Sequence, residues 1–151
     1  MTEMNTAPQL APRERCTGCA ACCNGCPKGA IRMVPDREGF LYPQVTDGCV
    51  QCGHCTHICP VLKQREPRTE PAAFIVWNGD EAVRRNSTAG GAFSALAEYV
   101  LEGGGVVFGA ALDSGLRVSH IAVKNRHDLP QLRGSKPVQS DVGESYLQVR
   151  L

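Results

Sequence analysis

Two short stretches of the sequence hold all nine cysteines, and their spacing limits what the chain can fold around. In the first stretch Cys16, Cys19 and Cys22 are three residues apart, Cys26 follows four residues later, and a proline comes next. The second stretch repeats every step at an offset of 33 residues, with Cys49, Cys52, Cys55 and Cys59 followed by Pro60. A fold built on this sequence must therefore bring closely spaced thiols together in two similar loops.

Three kinds of site use cysteines at this density: a disulfide framework, zinc sites and iron-sulfur clusters. A disulfide framework is typical of small secreted chains, but residues 1–15 contain no apolar core of signal-peptide length, and the cysteine count is odd. Structural zinc takes its ligands as two separated pairs, whereas these cysteines come in triplets. The run C-x2-C-x2-C-x3-C-P is the bacterial iron-sulfur run, and its two complete copies predict two 4Fe-4S clusters.

The fourth cysteine of each run is expected to bind the cluster of the other run, as in two-cluster proteins with this spacing. The predicted ligands of the first cluster are Cys16, Cys19, Cys22 and Cys59, and those of the second are Cys49, Cys52, Cys55 and Cys26. This crossing makes the two loops one folding unit. Much of its stability would come from ligation, because the unfolded chain has no such site.

Three further residues in these stretches are not assigned as ligands. Cys23 is interpreted as a small buried residue beside the ligand loop; an alternative ligand or an oxidation-sensitive thiol are the other interpretations. His54 and His57 would matter if the site were a histidine-ligated cluster, but such clusters replace cysteines with histidines and no cysteine is missing. Both histidines are therefore predicted to be packing or surface residues.

Composition changes along the chain and predicts two domains. No cysteine follows Cys59, and residues 61–71 are polar with Pro67 and Pro71, which is typical of a linker. The predicted division is a tail over 1–11, a ferredoxin-type domain over 12–62, a linker over 63–71 and a second domain over 72–151.

Charge and hydropathy exclude two classes of partner. The 16 Lys and Arg residues nearly balance the 15 Asp and Glu residues, without the basic run that nucleic acid attracts. No stretch is long and apolar enough to span a membrane. With no signal peptide and reduced thiols, the chain is expected to be cytoplasmic.

The pattern of apolar residues predicts an α+β fold: a bacterial two-cluster ferredoxin-like domain followed by an incomplete α/β domain. In the first domain, residues 30–34 and 40–45 flank a turn and predict a hairpin. In the second, residues 72–77 predict a strand, 90–104 a helix, and 106–112 and 117–125 two more strands, the first of them buried on both faces. A right-handed crossover between parallel strands is expected.

Two segments of the second domain could carry chemistry. Residues 86–93 place hydroxyls and glycines at a helix start, which either holds a phosphate or carboxylate or simply caps a closely packed helix. Arg133 and Lys136, around Gly134, either meet an anionic cofactor or form a solvated helix end.

The second domain resembles the N-terminal region of the coenzyme F-420 hydrogenase/dehydrogenase beta subunit family, and the residues that carry this resemblance are 87–113 and 120–146. The cysteine runs before it resemble the two-cluster ferredoxin domain that precedes this region in many members. The resemblance covers about 16–151. It implies an iron-sulfur flavoprotein that passes electrons between clusters, FAD and, in some lineages, the deazaflavin coenzyme. By position it implies that the eight repeated cysteines bind clusters and that the flavin or deazaflavin site includes Ser87, Thr88, Gly90, Gly91 and Lys136.

The last ten residues predict an open helix. Asp141 and Glu144 resemble an N-cap and its capping-box partner, yet no glycine, asparagine or proline closes the helix before Leu151. Because members of the resembling family continue through further strands, the chain is expected to be an N-terminal part of a flavin-dependent oxidoreductase that relays electrons from a redox partner to a flavin. The alternative is a non-catalytic ferredoxin-type module whose α/β appendage docks a partner subunit.

Overall fold

A computed structural model describes residues 8–63 and 72–149, which fall into two units. The first, here called the cluster unit, combines residues 8–63 with residues 142–149. The second unit comprises residues 72–141. Most of the predicted linker, residues 64–71, lies outside the described residues.

The cluster unit is built from two short helices that flank one hairpin. Helix α1 spans Ala21–Asn24, strands β1 and β2 span Ile31–Pro35 and Leu41–Val45, and helix α2 spans His54–Ile58. The strands pair antiparallel, with Ile31 opposite Val45 and Pro35 opposite Leu41. Asp36 closes the turn, since its Oδ1 accepts bonds from the main-chain N–H groups of Glu38 and Phe40, both at 2.9 Å. The predicted hairpin is confirmed.

The second unit begins with a short helix that the sequence did not predict, α3 over Glu81–Arg85. Asp80 caps it, because its carboxylate accepts bonds from Ala82 N at 2.8 Å and Val83 N at 3.3 Å. Helix α4 follows over Ala92–Glu102 and ends at Gly103, as its apolar spacing predicts.

Strands β3 (Val107–Leu112) and β4 (Val118–Val123) form an antiparallel hairpin. Asp113 shapes its turn, because its carboxylate accepts bonds from Arg117 N at 2.9 Å and Gly115 N at 2.8 Å. These bonds hold the pKa of Asp113 below its usual range, and the bond from Arg117 N has the largest effect. A short 3-10 helix spans Leu129–Leu132 and closes a small core, whose buried members are Ala97, Ala111, Val123, Leu129 and Leu132.

Three expectations for the second unit were wrong. Residues 72–77 form no strand, and the side chains of Phe74, Ile75 and Trp77 are 81%, 94% and 70% exposed. Among the described residues the second sheet contains only β3 and β4, so residues 72–77 pair with no strand and their β propensity is not realised. The expected parallel crossover is therefore missing from residues 72–149, where the one parallel contact is an isolated bridge between Ser119 and Asp141. Strand β3 is mostly half-buried rather than covered on both faces.

The last described helix, α5, spans Ser145–Val149. Helix α5 begins at Ser145, later in the chain than a cap at Asp141 predicts. The main chain of Asp141 pairs with β4: its N–H donates to Val118 O at 2.9 Å, and its carbonyl accepts from His120 N at 2.8 Å. The sequence placed residues 142–149 in the second domain, whereas in the structure they pack with the cluster unit. None of the described helices has the length and apolar character needed to cross a bilayer.

Candidate cluster-binding site

The first cavity of the cluster unit is lined by four thiols from both cysteine runs: those of Cys16, Cys19, Cys22 and Cys59. Its empty volume is about 380 Å³, including the part open to solvent. Apolar side chains form the remaining wall, including Leu10, Met33, Pro43 and Val61. The lining is therefore sulfur-rich and apolar, the surroundings that keep water from a redox centre.

The second cavity has the reciprocal composition. Its thiols are those of Cys49, Cys52, Cys55 and Cys26, and its empty volume is about 330 Å³, again including space open to solvent. Pro8, Ile31 and Val50 supply apolar lining, and Lys28 and His54 lie at the same cavity. The structure thus brings together the same two sets of four cysteines that the crossed pattern groups.

The repeat in the sequence is also a repeat in the backbone. Gly18 and Ala20 in the first loop have φ angles of 64° and 58°, and their counterparts 33 residues later, Gln51 and Gly53, have φ angles of 57° and 72°. Ala20 and Gly53 are the N-cap residues of α1 and α2. Left-handed residues at matched positions turn each loop back on itself, an arrangement in which main-chain N–H groups can face an anion. Ala20 and Gln51 adopt this conformation without being glycine, which costs backbone strain.

Main-chain groups donate hydrogen bonds to thiols of both sets. Ala30 N donates to Cys26 Sγ at 3.3 Å and Gln51 N donates to Cys49 Sγ at 3.4 Å. Hydrogen bonds to cysteine sulfur are among the factors that set the reduction potential of an iron-sulfur cluster. These two bonds belong to the second set, and a bond from the main chain of Cys23 contacts Cys22 of the first set.

The donor set fits a cluster better than a single ion. All nine cysteines are free thiols, and in the described ranges no three Cys, His, Asp or Glu side chains lie close enough to hold one metal ion. Zinc draws its thiolates to about 2.3 Å from one centre. A 4Fe-4S cluster binds one thiolate at each iron of a larger cage. Thiols spread around a cavity therefore match the cluster.

Cys22 shows why these thiols need a cationic partner. Burial raises the pKa of its thiol to about 11, with smaller contributions from Cys19, Cys16 and Cys23, although a bond from the main chain of Cys23 acts in the opposite direction. The thiolate is the form that binds iron. Iron at this cavity would supply the positive charge that makes the thiolate favourable.

Cys23 has different surroundings from its neighbour. Its thiol donates to the Ile31 carbonyl at 3.0 Å, and it is not among the described residues that line either cavity. A donating thiol is protonated, which favours the interpretation of Cys23 as a packing residue. His57 is exposed, and His54 is exposed while lining the second cavity.

The second unit holds a separate cavity at the start of α4. Its empty volume is about 870 Å³, including space open to solvent, and it lies within the size range of cofactor sites. Four of the five residues that the family resemblance implies lie here together: Ser87, Thr88, Gly90 and Gly91. The opposite lining comes from Leu132, Arg133, Gly134 and Ser135.

Lys136 does not line this cavity. Its ammonium donates to two main-chain carbonyls, those of Arg133 at 2.7 Å and Gln131 at 3.3 Å. Arg133 is the cationic residue that lines the cavity, and its Nε donates to the buried Ser94 hydroxyl at 3.1 Å. An anionic ligand would therefore meet Arg133 before Lys136.

The glycines of this segment also have packing roles. A Cβ on Gly90 would lie 2.7 Å from the Val76 carbonyl oxygen and 3.2 Å from Trp77 Cα. The close approach is fixed by a bond from Asn78 N to the Gly90 carbonyl at 2.7 Å. Gly91 has a φ of 78°, the left-handed conformation that favours glycine.

The apolar lining of the thiol cavities could not be predicted from the sequence pattern. Met33 and Pro43 lie opposite each other on β1 and β2, and the hairpin pattern alone did not reveal that both face the first cavity. Leu10 and Pro8 were assigned to a tail, yet both line thiol cavities. Gln9 also contacts the second loop, since its carbonyl accepts a bond from Thr56 Oγ1 at 2.9 Å.

Two regions of the chain match protein families. Residues 15–62 match the 4Fe-4S dicluster domain. Residues 73–145 match the N-terminal domain of the coenzyme F420 hydrogenase/dehydrogenase beta subunit. The resemblance seen in the sequence is thereby confirmed.

Two relatives from Methanocaldococcus jannaschii share the cysteine-rich region. An uncharacterized ferredoxin is 35% identical over 51 residues, which are 34% of this chain and 66% of the relative. An uncharacterized polyferredoxin-like protein is 32% identical over 64 residues, which are 36% of this chain and 38% of the relative. The matched region thus spans less than two thirds of either relative.

Proposed function

We propose that this chain, which joins a 4Fe-4S dicluster domain to the N-terminal domain of the coenzyme F420 hydrogenase/dehydrogenase beta subunit, carries electrons through two 4Fe-4S clusters to a flavin or deazaflavin. The observation that carries the proposal is the pair of cavities, each lined by four thiols, three from one run and one from the other. The proposed ligand sets are those of the crossed pattern. The proposed setting is a reducing compartment such as the cytoplasm, where the thiols stay reduced.

The work of the protein is to hold, separate and shield the clusters. When bound, a 4Fe-4S cluster stores and releases single electrons at a potential set by its ligands and surroundings. Apolar residues such as Met33 and Val61 keep water from the first cavity. Main-chain donors at Cys26 and Cys49 favour negative charge at the second.

The flavin end of the proposed relay is the cavity at the start of α4. The Thr88 hydroxyl, the N-terminus of an 11-residue helix and the Arg133 guanidinium together favour an anionic ligand such as the phosphates of FAD. The Ser87 hydroxyl would join them by releasing the Val83 carbonyl, to which it donates at 2.7 Å. Lys136 would join this ligand set by releasing the two carbonyls it now contacts.

The experiment is an anaerobic redox titration of the reconstituted full chain, followed by electron paramagnetic resonance. Two one-electron centres are expected, and addition of FAD or the deazaflavin to the reduced chain should oxidise them and reduce the added cofactor. Arg133→Ala should weaken binding of the flavin without changing either cluster signal. A chain that forms both clusters but transfers no electrons to either cofactor would contradict the flavin relay and leave the cluster assignment in place.

One observation favours a second candidate, a ferredoxin-type module that docks a partner subunit. Phe74, Ile75 and Trp77 are largely exposed next to each other in the chain, and Leu96 and Tyr99 on α4 are 70% and 79% exposed. Clustered exposed apolar side chains are typical of interaction surfaces. The matching family is that of a beta subunit, which supports a partner subunit here as well. Under this proposal the flavin would be held by the partner.

A further inference from the structure

Helix α1 depends on contacts from outside itself. It has four residues, too few to be stable alone, and it carries Cys22 of the first thiol set. Asn24 at its end makes two bonds through one amide group: Nδ2 donates to the Ala20 carbonyl at 3.2 Å and to the Gly143 carbonyl at 2.8 Å. The second bond ties the helix to a segment 119 residues away in sequence.

That segment, residues 142–149, is itself well defined. The Ser145 side chain is buried, its hydroxyl donates to the Val142 carbonyl at 2.7 Å, and its N–H donates to the same carbonyl at 3.1 Å. These bonds set the turn that leads into α5. The Gly143 carbonyl is thereby presented to Asn24 by a shaped turn rather than by an open chain end.

Helix α5 lies along a groove formed by α1 and α2. Tyr146, Leu147 and Val149 share this groove with residues of the two short helices, chiefly Ala21 and Ile58. Ala21 directly precedes Cys22 and Ile58 directly precedes Cys59, which are two of the four thiols of the first cavity.

We propose that residues 142–149 act as a clasp on the cluster unit, with Asn24 and Tyr146 as positioning residues that fix the helix carrying Cys22 and so protect the cluster of the first cavity. The inference rests on the proposed cluster binding. Loss of the clasp would leave α1 held by fewer contacts, so that it opens more often. Such local opening limits how fast bound iron is exposed to an external chelator.

The test follows iron loss from the anaerobic holo chain to a ferrous chelator. Nuclear magnetic resonance can follow both clusters at once, because the β-protons of cysteines bound to iron have strongly shifted signals. Each signal can be assigned to a cysteine of the first or the second thiol set. Loss of one neutral hydrogen bond corresponds to a change of about fivefold in an opening equilibrium. Asn24→Ala should accelerate loss of the first cluster by about this factor, with a smaller effect on the second. Tyr146→Ala, which removes the ring from the groove, should accelerate loss of the same cluster.

Two substitutions in the other unit serve as matched controls. Asn86 Nδ2 donates to the Ala82 carbonyl at 2.9 Å, which reproduces the bond of Asn24 within its own helix without the second bond. Tyr99 is a 79% exposed tyrosine on α4. Asn86→Ala and Tyr99→Ala should leave both rates unchanged, and Tyr146→Phe, which keeps the ring, should behave as the parent chain.

Two further results distinguish failure of the clasp from failure of cluster binding. The double variant Asn24→Ala with Tyr146→Ala should be less than additive, because both act through one clasp. Unchanged rates in the Asn24 and Tyr146 variants, or equal acceleration at both clusters, would overturn the clasp. A parent chain that never binds two clusters would instead contradict the proposed function beneath it. If Asn24→Ala assembles no cluster, Tyr146→Leu supplies the measurement, and its rate decides in the same way.

Discussion

At the scale of single residues, Cys26 and Cys23 lie three positions apart and have different surroundings. Cys26 lines the second cavity with Cys49, Cys52 and Cys55, whereas the thiol of Cys23 donates to a main-chain carbonyl. Cys26→Ala should therefore damage the cluster at the cavity of the distant run and spare the one beside its sequence neighbours, with iron falling from about eight toward about four per chain. Cys23→Ala should keep both clusters. Iron analysis with electron paramagnetic resonance checks both variants, and loss of a cluster in the Cys23 variant alone would reverse the assignment.

Gly90 allows a second prediction at this scale. A Cβ there meets main-chain atoms of Val76 and Trp77 that are held by the bond from Asn78, so Gly90→Ala should destabilise the second unit by about 1–3 kcal/mol. Gly79→Ala is the matched control, because nothing lies within 4 Å of a Cβ at that position. The single tryptophan, Trp77, reports urea unfolding by its fluorescence. Equal midpoints for the two variants would show that Gly90 is not needed for packing.

At the scale of elements, the packing of α1 against α2 depends on Gly25. A Cβ at Gly25 would overlap the Cδ1 methyl of Ile58. Gly25→Ala should therefore lower the resistance of the clusters to urea, measured by their visible absorbance under anaerobic conditions. Ile58→Val removes that methyl at a cost of about 0.5–1.5 kcal/mol alone, yet it should restore stability in the Gly25→Ala background because the overlap is gone. Additive losses in the double variant would contradict this packing.

Some helices and strands could be predicted from local signals in the sequence, whereas others depend on tertiary contacts. The hairpin of β1 and β2 and helix α4 were predictable because turn residues and apolar spacing are local signals. The strand expected at 72–77 failed because strand formation needs a partner strand, and tertiary packing places none beside this segment among the described residues. Asp141 has the sequence of a cap, but its main chain joins β4, a tertiary contact that no local pattern encodes. The meeting of Arg133 with Ser87 and Gly91 at one cavity is likewise a product of tertiary packing.

For the whole molecule, the cysteine spacing carried more information than any other feature. It grouped eight thiols into two crossed sets, and the structure places the same sets around two cavities. The crossing ties residues 16–26 to residues 49–59 through the proposed clusters, so removal of metal should weaken the cluster unit far more than the second unit. The small apolar core of the second unit, by contrast, contains no thiol.

Metal and sulfide analysis of the anaerobically prepared full chain tests whether the chain binds two 4Fe-4S clusters. Two bound 4Fe-4S clusters predict about eight iron atoms and about eight acid-labile sulfides per chain, with the broad visible absorption of thiolate-bound iron. An eight-cysteine variant with Cys23→Ala should give the same values. Stoichiometric zinc without sulfide or visible absorption would show that the chain does not bind two 4Fe-4S clusters.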